Sequence, residues 1–272
     1  MKRIATMQDI SCIGKCSLTV ALPVISAMGI EAAVLPTAVL STHTMFSGFT
    51  FHDLTDQIRP IMAHWQKEGF AFDGIYTGYL GSLEQIAIAR SLFETFGKDG
   101  LILVDPCMAD NGKLYTGFTP AFAKEMAKLC GHADIICPNL SEASFLLDIP
   151  YEEKPSRERV EEILKMLTGL GTRTAVLTGI SYEEGKLGAV AYDRETDTYT
   201  SYFSNEEKAR FHGTGDLWAS AFFASLIQEK TVYEALQTAC EFVRESVRLT
   251  LAEENHVDYG VNFEQALHLL NA

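Results

Sequence analysis

Two glycines and one acid stand directly ahead of an apolar run in Gly213-Thr214-Gly215-Asp216. From Leu217 to Ile227 only Ser220 and Ser225 are polar, which marks a helix surrounded by protein, with Ala219, Ala221 and Ala224 permitting close packing. Its first turn is therefore held in place. Gly213 and Gly215 allow backbone conformations and close approaches that a side chain would obstruct, so N–H groups of residues 213–215 can point at one anion at the positive end of the helix. Asp216 does not suit a pure phosphate site, because it sets one negative charge beside another. Two roles are open to it: a cap on the helix N-terminus, or a base that takes the proton of an alcohol as it attacks a terminal phosphoryl group.

The elements that must position these residues are legible as an alternation. Residues 3–9, 32–40, 74–80, 101–105, 133–138 and 174–179 are short apolar runs of the kind buried in a sheet covered on both faces. Helical patterns fall between them. Ser82 and Gln85 predict a capping box ahead of Ile86, Ala89, Phe93 and Phe96, and Thr119 with Pro120 opens another helix. Val160, Ile163, Leu164 and Leu167 trace one stripe, and Thr231 with Glu234 repeats the box before Val232 to Val247. This is an α/β rhythm with a mostly parallel central sheet and right-handed crossovers. Residues 187–204 differ: two alternating halves flank a polar turn, as in a hairpin at a sheet edge. No repeat or linker forces a cut, so residues 1–272 are expected to form a single domain.

Ligands of such sheets sit outside the carboxyl ends of the strands. There the polar residues collect: Ser11, Thr42 to Thr44, Asp105 to Asp110, Asn139 with Glu142, and Thr178. Each alone reads as a cap or turn residue. Together they describe a site.

Composition removes several other classes. A formal net charge of -14 and the lack of a basic run argue against nucleic acid as a partner. The apolar stretch from Ser17 to Ile30 holds a Pro and a Gly and falls short of the ~20 residues that span a bilayer. Neither membrane insertion nor a secretion signal is expected, which places the chain in the cytoplasm. The cysteines contain no C-x-x-C pair and suit reduced, mostly buried thiols. The Walker pattern is missing, and no G-x-G-x-x-G follows the first strand.

Four ordered motifs then give a resemblance over nearly the whole chain. V-D-P (104–106), P-N-L-S-E-A (138–143) with its N-x-x-E, L-T-G (177–179) and G-T-G-D (213–216) resemble the ribokinase superfamily. S-T-H-T-M-F-S-G (41–48) and D-P-C-M-A-D-N-G-K-L-Y (105–115) resemble its pyridoxal kinase branch. The resemblance implies a ribokinase-like three-layer α/β/α sandwich with an edge hairpin. It also implies transfer of the ATP γ-phosphoryl group to the 5′-hydroxymethyl of pyridoxal, pyridoxamine or pyridoxine. In that pattern Asp216 is the base, and Gly213, Thr214 and Gly215 form the anion hole. Asp105, Asn139, Glu142, Thr178 and Thr214 lie along ATP, while Ser11, Thr44, Tyr115 and Asp216 hold the vitamer. Asp105, Asp110 and Glu142 organise magnesium, with potassium or sodium as a further ion of open identity. A homodimer is implied as well. His212 before the anion hole, and Cys12, Cys16 and Cys107 near the expected ring, depart from the family pattern and keep no assigned role. The competing readings are a hydroxymethylpyrimidine kinase and a catalytically silent pyridoxal phosphate carrier.

Overall fold

The computed structural model describes residues 1–271. The chain runs through β1 (Arg3–Ser11), α1 (Leu18–Ala27), β2 (Glu31–Leu40), β3 (Phe51–Asp53), α2 (Thr55–Lys67), β4 (Gly74–Thr77), α3 (Leu83–Phe96) and β5 (Leu101–Val104). A small hairpin follows, β6 (Ala109–Asp110) with β7 (Lys113–Leu114), then α4 (Pro120–Cys130), β8 (Ile135–Ile136), α5 (Leu140–Leu147) and α6 (Arg157–Thr168). β9 (Thr174–Ile180), β10 (Lys186–Asp193), β11 (Thr198–Asn205), α7 (Thr214–Ile227), α8 (Val232–Leu251) and two short 3-10 turns complete it.

Nine strands form one sheet in the order β11-β10-β9-β8-β5-β4-β1-β2-β3. The six from β9 to β2 pair in parallel. Antiparallel strands close both edges. Two apolar cores cover the sheet, one built with α2 to α6 and the other with α1, α7 and α8. This is the three-layer α/β/α arrangement expected, with the 187–204 hairpin at one edge as β10 and β11. β1 lies between β2 and β4, the place where the path across the sheet reverses and a crevice opens at the strand ends.

The apolar run after Asp216 becomes the central support of the second layer. Leu217 to Ser225 are all buried, and Trp218 stacks on Phe222 with centroids 4.8 Å apart while its Nε1 donates to Cys240 Sγ at 3.3 Å. α7 reaches the sheet at Gly74, where an added Cβ would come within 2.8 Å of both Phe223 and Ile227. The glycine lets those side chains sit directly on β4.

Local differences from expectation have physical causes. β4 stops at Thr77 and β8 keeps only two residues, because the chain leaves the sheet to build the site. The Ser82–Gln85 box is only half formed: Ser82 accepts from Gln85 N at 3.1 Å, but Gln85 Oε1 takes the N–H of Gly81 and its Nε2 reaches Thr55. The reciprocal box at Thr231 and Glu234 is complete. α1, β3, α2 and the β6–β7 hairpin had no specific signal named in the sequence analysis. The hairpin turn is Asn111-Gly112, both at positive φ, a dipeptide that suits a two-residue turn.

Phe223→Ala should lower the unfolding free energy by ~3–5 kcal/mol. A urea midpoint equal to that of the parent chain would contradict the central place of α7 in this layer.

Candidate active site

α7 starts at Thr214, one turn earlier than its apolar run. Gly213 is its N-cap at φ 77, and a Cβ there would run into the Lys15 carbonyl. The first intrahelical bond is Leu217 N to Gly213 O at 3.0 Å, so the amides of Thr214, Gly215 and Asp216 have no partner within the helix. The expected anion hole, residues 213–215, overlaps this set at Thr214 and Gly215. Around Gly215 no heavy atom lies within 4 Å of an added Cβ. The amides therefore border open space that a side chain would fill.

Asp216 occupies the first turn and makes no capping bond, which removes the capping role. Burial pushes its carboxyl up to about 6, the backbone N–H of Ser17 opposes that rise, and Asp9 adds to it. An acid so placed is a proton acceptor near neutral pH.

Asp105 follows β5 and is tied to β4 by its own N–H to Thr77 O at 2.9 Å. Burial first, then Glu142 and Asp216, holds its carboxyl well above the usual range. Asn139 and Glu142 form a reciprocal capping box on α5: Asn139 Oδ1 accepts from Glu142 N, and Glu142 Oε2 accepts from Asn139 N, both at 2.9 Å. Glu142 Oε1 also accepts from Met108 N at 3.1 Å. Burial still pushes Glu142 up to about 7 against those donors. Asn139 Nδ2 donates to Ala109 O at 2.9 Å and so ties the β6–β7 hairpin to the strand ends. Thr178 pairs with Asn139 across an isolated bridge.

Other expected residues lie nearby with less commitment. Ser11 is buried and donates to Asp9 at 3.3 Å. Thr44 is exposed. Asp110 is exposed and accepts from the Asn111 backbone and side chain, both at 2.8 Å, so it shapes the hairpin turn. The Tyr115 phenol is raised by burial, Cys107, Glu142, Asp110 and Asp105, which sets it among the acids rather than beside Ser11. His212 packs on His43 with centroids 4.5 Å apart. Cys12 is exposed, whereas burial pushes the Cys16 thiol up to about 12 and raises Cys107 as well. Thiols so raised are poor nucleophiles.

Three residues escaped the sequence reading. Asp9 is buried near the end of β1, Ser17 is the N-cap residue of α1 at φ 50, and Tyr79 follows β4 within the influence of Asp9 and Cys107. Only the run of polar residues in Gln8-Asp9 and Ser11 hinted at the first, since a strand end so polar is unusual for an apolar core.

Asp9, Asp105, Glu142 and Asp216 are 5%, 8%, 3% and 8% exposed. None of the leading influences on Asp105 or Glu142 is a cation. Among the described residues no three His, Cys, Asp or Glu side chains converge into a metal cage. Sparse hard oxygen donors beside a phosphate cradle fit magnesium, which keeps several waters.

Known proteins resemble this chain along most of its length. The family model for phosphomethylpyrimidine kinase matches residues 20–262. The pyridoxine kinase of Bacillus subtilis is 30% identical over 224 residues, covering 79% of this chain and 77% of that one. A Bacteroides thetaiotaomicron structure crystallised with pyridoxal is 40% identical at TM-score 0.93, covering 99% of this chain and 95% of that one. The pyridoxal kinase of Lactobacillus plantarum is 30% identical at TM-score 0.90, covering 99% and 96%.

Gly215→Ala should fold normally and lose ATP affinity, because its methyl group enters the open cradle. Gly213→Ala should instead lose about 1–3 kcal/mol of stability from its backbone conformation. Equilibrium denaturation and ATP titration of both variants check the pair; undiminished ATP binding by Gly215→Ala would contradict the cradle.

Proposed function

The chain belongs to the phosphomethylpyrimidine kinase family, and from that premise we infer that it is a vitamin B6 kinase. It moves the γ-phosphoryl group of ATP to the 5′-hydroxymethyl of pyridoxal, pyridoxamine or pyridoxine. The observation that carries this reading is the buried Asp216 carboxylate in the same helical turn as three unpartnered amides. Relatives that act on pyridoxal or pyridoxine, and the pyridoxal held by the Bacteroides thetaiotaomicron protein, support the substrate.

The residues divide the work. Asp216 accepts the hydroxyl proton as that oxygen attacks the terminal phosphorus, while the amides of residues 214–216 stabilise charge gathering on the transferred oxygens. The reaction then rests on positioning and electrostatics more than on covalent chemistry. Asp105 and Glu142 would hold magnesium, which neutralises phosphate charge when bound. Glu142 already accepts two backbone N–H bonds, so it suits contact through the ion's water shell. Asn139 and Thr178 border the nucleotide side, and Ser11, Thr44 and Tyr115 remain our proposed vitamer contacts, with Thr44 and Tyr115 able to close over the ring from exposed positions.

We also propose that the chain acts as one domain, in the cytoplasm, as a homodimer assisted by potassium or sodium. No helix among the described residues is long and apolar enough to cross a membrane. Sedimentation of the purified chain as a monomer would remove the dimer. The family name itself favours one second reading, phosphorylation of hydroxymethylpyrimidine. ADP release with each ring separates the two.

Asp216→Asn should lose most turnover in a coupled ADP-release assay and keep its ATP affinity. For the parent enzyme, kcat/KM should fall as pH drops through about 6, since protonation of the raised carboxyl removes the base. Near-normal turnover by the variant, or a flat acid limb, would remove Asp216 from this role.

A further inference from the structure

Asp9 is a buried acid that phosphoryl transfer does not require. It lies on β1, the strand at which the sheet path reverses, and the pairing with β2 slips by one residue there: Gln8 faces Pro36 while Ile10 faces Val39. Such irregularities re-aim side chains beside active sites. Its carboxylate has only neutral donors: Ser11 Oγ at 3.3 Å, the Ser17 hydroxyl, and its own backbone N–H. Lys15 is turned elsewhere, to Val261 O and Asn262 Oδ1 at 3.1 Å and Glu264 at 2.8 Å. Burial raises the Asp9 carboxyl, which leaves an acid in want of a cation or a proton.

Ser17 joins this acid to the base. Its hydroxyl lowers Asp9 and its backbone N–H lowers Asp216, and it holds its position near both at φ 50, in the left-handed region that a serine rarely adopts. The titratable groups that meet Asp9 from the surrounding elements are Asp216 on α7, Cys16 ahead of α1, Tyr79 after β4 and Cys107 after β5. None supplies positive charge. That leaves a proton or a ligand to answer it.

We infer that Asp9 reads the substrate ring, its carboxylate accepting a hydrogen bond from the protonated ring nitrogen of a 3-hydroxypyridine. This rests on the vitamin B6 reading above. In such a ring the hydroxymethyl carbon stands meta to the nitrogen, so the two partners of one molecule must lie a ring width apart. In this assignment Asp9 meets the N–H and Asp216 the hydroxyl, two buried acids near enough for Asp9 to raise Asp216. The proton stays on the ring nitrogen and Asp9 stays ionised, so the contact selects the N-protonated form and takes no part in phosphoryl transfer. Asp9 is thus a specificity-determining residue. Rings without a protonated nitrogen lose the contact and leave a buried carboxylate unpaired.

Absorption spectra of bound pyridoxine, recorded without ATP from mildly acidic to mildly alkaline pH, test the assignment, because 3-hydroxypyridine spectra report ring protonation. The parent enzyme should keep the N-protonated spectrum to higher pH than free pyridoxine. Asp9→Asn and Asp9→Ser should abolish that displacement and raise KM for pyridoxine by about tenfold or more, with kcat and KM for ATP changed less than about threefold. The analogue with carbon in place of the ring nitrogen should bind both variants more tightly than the parent, whose carboxylate it leaves buried and unpaired. A bound spectrum unaltered in both variants, or a kcat loss at unchanged KM, overturns the role of Asp9. A parent enzyme that phosphorylates no vitamer removes the vitamin B6 reading together with it, whereas turnover insensitive to Asp9 removes this inference alone.

Discussion

The structure depends on keeping carboxylates buried where no basic side chain answers them. Asp9, Asp105, Glu142 and Asp216 all stand at the carboxyl end of one parallel sheet, and burial is the largest influence raising each of them. Leaving such charge in a core opposes folding unless fixed dipoles compensate. The fold provides dipoles: the Ser17 N–H for Asp216, the Cys107 N–H for Asp105, and the Asn139 and Met108 N–H groups for Glu142. The remaining deficit is one that cations and polarised ligands can fill. A site short of positive charge therefore suits the magnesium-bound nucleotide we propose.

Rigidity makes that arrangement possible. α7 is buried from Asp216 to Ser225, which anchors its first turn and keeps the amides of residues 214–216 beside the open space at Gly215. Gly213 supplies the left-handed turn that brings the chain into the helix against Lys15. The capping box at Asn139 serves position as well as helix stability, since the same Glu142 carboxylate also anchors Met108 ahead of the hairpin. Around this base lie exposed Thr44, the His43–His212 contact, and Arg210 reaching Asn111 Oδ1 at 2.9 Å.

Much of this was legible because its signals are local. Apolar runs marked all six inner strands, and alternation marked the edge hairpin. Gly213 to Asp216 could be read as a cradle with an acid because glycine spacing and the following apolar run sit in one segment. Asp9 and Ser17 were not legible in the same way. An acid at a strand end reads as a turn residue until α1, β4 and α7 are known to close around it, and those contacts are distant in sequence. Glu142 shows the opposite limit: one residue serves as helix cap, hairpin anchor and candidate metal-side acid, so neither the capping nor the metal reading excludes the other. The Asn111-Gly112 turn carried a clear local signal that the surrounding acids obscured.

The most direct measurement is a crystal structure of the ternary complex with pyridoxal and a non-hydrolysable ATP analogue. The terminal phosphate is expected against the amides of residues 214–216, with the substrate hydroxymethyl oxygen between that phosphate and the Asp216 carboxylate. A phosphate seated elsewhere, or a hydroxymethyl group turned away from Asp216, would contradict it.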